Sequence, residues 1–184
     1  MERLAPAARA DRYGDRINRA RSPWRAVTVP YATILIASLA PFVLLADTFP
    51  LAPPLGYLMF LGWRIMRPGL LPIWVGVPLG AFDDLFSGQP FGSGILLWSV
   101  TMIALELIES RFPWRGFRQD WFTASLGAVL YLFAAMAISG SPLTPAMAVA
   151  ALPQAALAIL LYPFIAQVIS RLDRFRLSRA RRIG

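Results

Sequence analysis

The chain has 184 residues, 57% of them hydrophobic and only 15% charged, with a net charge of +8 and a mean hydropathy of +0.56. Soluble domains average ~45–50% apolar and ~25% charged residues, so charge this scarce, gathered at the chain ends, points to an integral membrane protein. All 18 basic residues are arginine, and lysine, histidine and cysteine do not occur. That excludes disulfides, thiolate nucleophiles, imidazole bases, Schiff-base lysines, a P-loop lysine and zinc sites of the His/Cys type.

Residues 1–26 hold seven arginines (Arg3, Arg9, Arg12, Arg16, Arg19, Arg21 and Arg25) against Glu2, Asp11 and Asp15, with almost no periodic apolar face. A mixed polar stretch of this length does not read as a cleavable signal peptide. It reads as a cytoplasmic tail able to lie on anionic lipid. Nucleic-acid binding is the other use of a basic arm, but the membrane already accounts for the charge, so no nucleic-acid partner is expected.

The first expected span is 27–46, since twenty residues at ~1.5 Å each match the ~30 Å of hydrocarbon. Pro41 is expected to kink it, and Asp47 with Pro50–Pro54 ends it. Segment 51–85 is interrupted by Arg64, Arg67 and Pro68-Gly69, which divides it into 55–66 and 69–85. The first piece is short and requires tilt, a thinned bilayer or burial among neighbours. The second carries Pro72 and Pro78, and Gly76 and Gly80 at the four-residue spacing that favours close helix packing. The fourth span, 95–108 with a start near Gly92, runs into Glu106 and Glu109, which share a helix face and are expected to be neutralised by Arg111, Arg115 and Arg118. Aromatics interleaved with arginines over 112–122 suit a loop at headgroup level. A fifth span over 121–138, a turn over 139–145 and a sixth span over 146–169, with Pro153 and Pro163 inside it, lead to a second basic tail over 170–184.

The fold class expected is therefore all-α integral membrane: tail 1–26, six-helix transmembrane domain 27–169, tail 170–184. With the amino terminus inside, six spans leave all 18 arginines on the cytoplasmic side and Asp47, Asp83 and Asp84 outside. A single span over 51–85 would strand Arg64 and Arg67 near mid-membrane at ~2.5–3.5 kcal/mol each, and would send the two basic ends to opposite sides. The positive-inside rule selects six spans with both ends cytoplasmic.

The candidate site is the stretch 80–94, with Gly80, the adjacent carboxylates Asp83 and Asp84, and the turn residues Gly88, Pro90 and Gly92. Acids at a span end are ordinary boundary residues, or they bind a partner or a structural hydrogen-bond donor. Catalysis would need an assisting histidine, lysine or cysteine. Six tryptophans, Trp24, Trp63, Trp74, Trp98, Trp114 and Trp121, fit an aromatic belt. Gln154 and Gln167 offer hydrogen bonds between helices. With no phosphate loop, metal-ligand cluster or nucleophile–base pair in the sequence, no enzyme activity, cofactor or metal is expected.

The spacing Gly80, Asp84, Gly88-x-Pro90-x-Gly92, leading into the next helix, resembles the MreD family of bacterial rod shape-determining membrane proteins. Asp83 is an extra neighbour of the family aspartate, Phe91 stands where leucine is common, and the arginine-rich front tail is longer than in many members. The resemblance implies a non-enzymatic scaffold in the inner membrane. It would pair with the bitopic protein MreC and act indirectly with MreB, RodA and the elongation transpeptidase in side-wall peptidoglycan synthesis. The family fold is similar to the substrate-binding membrane subunit of energy-coupling-factor transporters, which supplies the alternative: a small-molecule- or lipid-binding subunit of a transporter. Such a subunit needs a polar pocket near mid-membrane, and the spans offer only Ser99, Thr101, Thr123, Ser125, Gln154 and Gln167 for it.

Overall fold

A computed structural model describes residues 19–21, 23–44, 53–111, 116–140, 144–177 and 179–182. The described residues form six α-helices: α1 (Pro23–Leu44), α2 (Leu55–Met66), α3 (Gly76–Phe86), α4 (Ser93–Arg111), α5 (Phe117–Ile138) and α6 (Pro145–Arg176). Two short strands, β1 (Arg19–Arg21) and β2 (Arg179–Arg182), pair antiparallel. Helices α4 and α5 and the Ala151–Arg176 part of α6 are long and apolar enough to cross a membrane, which marks the chain as a membrane protein; Trp24–Ala40 and Leu55–Met66 are shorter apolar helices.

Segment 51–85 is divided where the charges and prolines divide it. α2 ends at Met66, Pro72 is extended (φ −67°, ψ 151°), and a 3-10 turn over Ile73–Val75 opens α3. Helix therefore starts later than the expected residue 69. Pro78 falls in the first turn of α3, where its missing N–H has no acceptor to lose. Asp47 and the loop residues 112–115 lie outside the described residues, as do residues 1–18 and 22 of the first tail and 178, 183 and 184 of the second.

The bundle is built around α2. Its residues 56–65 are all buried, and it touches α1, α4, α5 and α6. A helix that is apolar all round has to be enclosed by protein or lipid. At ~18 Å, α2 is shorter than the hydrocarbon layer, and enclosure by its neighbours accommodates the shortfall. Tyr57 stacks on Tyr131 of α5 at 4.0 Å and Phe60 on Trp98 of α4 at 4.6 Å, and the Trp63 indole donates to Thr33 Oγ1 of α1 at 3.0 Å. The aromatic belt is corrected accordingly: Trp24, Trp74 and Trp121 are exposed, but Trp63 and Trp98 are core residues because they face α2's packing surfaces. Trp114 lies outside the described residues.

Prolines within helices free carbonyls as well as kinking the axis. The Ala26 carbonyl, four residues before Pro30, accepts a bond from Arg176 Nη1 at 3.0 Å. The Ile159 carbonyl, four residues before Pro163, accepts the Trp121 indole N–H at 3.1 Å. In each case a side chain from another helix replaces the missing backbone donor, as apolar surroundings demand.

Arginines collect at one end of the bundle. α2 and α4 run in the same direction, so the Tyr57 hydroxyl meets Thr101 Oγ1 at 2.8 Å and, further along, Arg64 reaches both Glu106 and Glu109 (Nη1 to Glu109 Oε2, 2.7 Å). This corrects the expected pairing of the glutamates with Arg111, Arg115 and Arg118. The buried guanidinium of α2 takes both acids, Arg111 and Arg118 form no ion pair with a described residue, and Arg115 is outside that set. α6 runs past the expected residue 169 to Arg176 and brings Asp173 to Arg67 and to Arg176 (Nε to Oδ1, 2.7 Å). Arg176 also lies over the Trp63 ring at 5.7 Å, and Arg25 over Phe175 at 5.5 Å.

The Arg64 side chain is 2% exposed, whereas Glu106 is 54% and Glu109 27% exposed. Neutralising both acids leaves a buried cation alone, at ~3–5 kcal/mol. Removing the cation leaves acids that water can reach. The double variant Glu106→Gln/Glu109→Gln is therefore expected to lower the melting temperature in detergent more than Arg64→Met does; the opposite order contradicts this assignment.

Candidate functional site

The site lies at the opposite end, where α3 turns into α4. These two helices form the most extensive helix contact and run antiparallel. The Gly76/Gly80 stripe of α3 rests on α4. A Cβ on Gly76 would stand 2.9 Å from Ser99 N and Cα, and one on Gly80 would stand 2.5 Å from the Gly94 carbonyl oxygen. Backbone thus meets backbone with no side chain between, which fixes the separation of the two axes.

One turn beyond Gly80, Asp84 sits level with the start of α4. A helix start leaves its first N–H groups without partners, and the usual remedy is an oxygen on the capping side chain. Gly92 occupies the capping position with φ +99°, a left-handed conformation that suits glycine. It has no side chain to offer, and Asp84 supplies the oxygens from the preceding helix. The Gly92 and Ile95 N–H groups donate to Asp84 Oδ2 at 2.9 and 3.3 Å; the Gly94 N–H and the Ser93 hydroxyl donate to Oδ1 at 2.7 and 3.3 Å. The carboxylate is buried and faces the N-terminal end of α4. The turn is closed by the Ser93 N–H on the Pro90 carbonyl at 3.0 Å and by the Ser87 N–H on the Asp83 carbonyl at 2.9 Å, with Gly88 between at φ +69°.

Asp83 is buried as well but faces elsewhere. The Tyr131 hydroxyl of α5 donates to its Oδ2 at 3.5 Å, Ser38 of α1 lies beside it, and no described arginine pairs with it. Two consecutive acids thus serve two different packing surfaces: Asp84 the α4 start, Asp83 the junction of α1, α3 and α5. The motif gave no sign of this second role, because it depends on which helices pack against α3.

Thr101 and Thr123 line a cavity of about 220 Å³ between α2, α4 and α5 together with Tyr57 and Tyr131, and the rest of its lining is apolar. Ser99 and Thr101 donate to the carbonyls of Ile95 and Leu97 on their own helix at 2.6 and 2.7 Å, and Gln167 is exposed. Among the described residues no three metal-ligating side chains group together. What the arrangement does chemically is hold: one carboxylate locks the ends of two helices and the loop between them.

Asp84→Ala is expected to leave the N–H groups of Gly92, Gly94 and Ile95 without an acceptor, at ~2 kcal/mol or more, while the Ser93 hydroxyl keeps Gln89 Oε1. Amide hydrogen exchange across 88–96 is then at least about tenfold faster, with α6 unaffected; unchanged exchange in that peptide contradicts the clamp. Gly80→Val is expected to lower the melting temperature well beyond Gly116→Ala, since the space around Gly116 is open; equal effects contradict the close approach.

Comparison of the chain with protein-family models, with curated proteins and with solved structures finds no match.

Proposed function

We propose that the chain is a non-enzymatic scaffold of the MreD kind in the bacterial inner membrane, crossing it six times with both ends in the cytoplasm. The observation that carries this reading is the Asp84 clamp. The residues by which the chain resembles that family, Gly80, Asp84, Gly88, Pro90 and Gly92, are the ones that bind α3, the turn and the α4 start into one body. A body of that kind suits docking, because partner contacts keep their register only if the helix ends do not move.

In this proposal the clamped end faces the periplasm and presents a fixed surface to the transmembrane helix and periplasmic base of MreC. MreB, RodA and the elongation transpeptidase are engaged indirectly. The gathering of Arg64, Arg67 and Arg176 at the other end supports a cytoplasmic assignment for it. α2 then crosses as a short helix enclosed by its neighbours, and α3 as a short helix packed on α4 and α1 with one face exposed. The transporter reading is weaker because the cavity between α2, α4 and α5 is lined mainly by apolar side chains, and its Tyr57 and Thr101 hydroxyls bond each other.

Depletion in the native cell is expected to round the cells, and the tagged chain is expected to co-purify MreC. Asp84→Ala should reduce that co-purification while the protein still inserts. Normal rods on depletion, together with a small molecule retained by the purified protein, would favour the transporter reading and contradict this one.

A further inference from the structure

Three arginines at the end opposite the clamp are matched to carboxylates: buried Arg64 to Glu106 and Glu109, and half-exposed Arg67 and buried Arg176 to Asp173. Arg118, in the first turn of α5, is exposed and pairs with no described acid. It stands at one edge of a trough of about 700 Å³ that follows α5 along Phe122, Leu126 and Val129 to Ile159 of α6. Trp121 forms part of the wall and is held in place by its bond to the Ile159 carbonyl. Pro163 therefore shapes the trough indirectly, by freeing that carbonyl.

A guanidinium at one end of an apolar trough, at the end of the bundle where arginines collect, is complementary to a molecule with a phosphate and a long hydrocarbon chain. Basic pockets at the cytoplasmic level of membrane helices take lipid headgroups in this way. A free phosphate would leave the apolar wall uncovered. An apolar helix of another protein would leave the cation unmatched.

We infer that this trough is a binding site for one anionic phospholipid, its phosphate on Arg118 and an acyl chain along Phe122, Leu126 and Val129. The inference rests on the membrane reading, but it does not depend on any protein partner. It ties the headgroup of one lipid to the α5–α6 pair, at the end of the bundle opposite the α3–α4 clamp.

The test is native mass spectrometry of the full chain in detergent, titrated with phosphatidylglycerol or phosphatidylcholine. The unaltered protein should retain phosphatidylglycerol at least about fivefold better. Arg118→Ala should remove that preference, Arg118→Lys should keep part of it, and Leu126→Trp, which fills the trough at a half-exposed position, should weaken both lipids. Arg174→Ala, at an exposed arginine whose bond among the described residues is to the Ser170 carbonyl, should change nothing. Equal retention of the two lipids, or equal losses in Arg118→Ala and Arg174→Ala, would overturn the site while leaving the membrane reading standing. A chain that stays dispersed without detergent would overturn both.

Discussion

In apolar surroundings a backbone N–H or carbonyl that loses its helical partner has no water to turn to. The bundle is arranged around that constraint. At the α4 start, the free N–H groups of Gly92, Gly94 and Ile95 are taken by one carboxylate from the previous helix. In α1 and α6, the carbonyls freed by Pro30 and Pro163 are taken by Arg176 and Trp121. Each replacement comes from a different helix, so each one also ties two helices together. Prolines and glycines that would weaken an isolated helix become the points where this protein is joined.

The two ends are closed by different chemistry. At one end the buried Asp84 carboxylate meets three backbone amides and the Ser93 hydroxyl, so its geometry is set mainly by backbone positions. At the other, guanidinium groups of α2 and α6 meet carboxylates of α4 and α6, close enough to solvent for Glu106 to remain half exposed. Buried α2 connects the ends. Its aromatic residues fill the centre, and its terminal Arg64 anchors the ionic cluster. The proposed scaffold role would use both properties: one end whose shape is set by the fold, and another whose charge would keep it on one side of the bilayer.

Much of this was legible in the residues. Hydropathy, prolines and the two arginines after residue 63 located α2 to the residue, the Gly76/Gly80 spacing announced a close helix contact, and the offset from Asp84 to Gly92 placed an acceptor beside a helix start. The misses share one cause. Pairing Glu106 and Glu109 with nearby arginines used sequence distance, but the partner, Arg64, comes from a helix that runs alongside α4. Trp63 and Trp98 resemble belt residues by their position along the chain, and only the central place of α2 puts them in the core. The freed carbonyl of Ala26 could be read from Pro30, but the donor that meets it, 150 residues later, could not.

In the proposed topology the Asp84 end and the arginine end lie on opposite faces of a bilayer. The chain contains no cysteine, so a single introduced cysteine is the only thiol to label. Ser87→Cys at the clamped end and Arg174→Cys at the other are both exposed positions. Treated in spheroplasts with a membrane-impermeant maleimide, Ser87→Cys should label at once and Arg174→Cys only after the membrane is opened. Labelling of both from the same side, or of Arg174→Cys alone, would contradict the account.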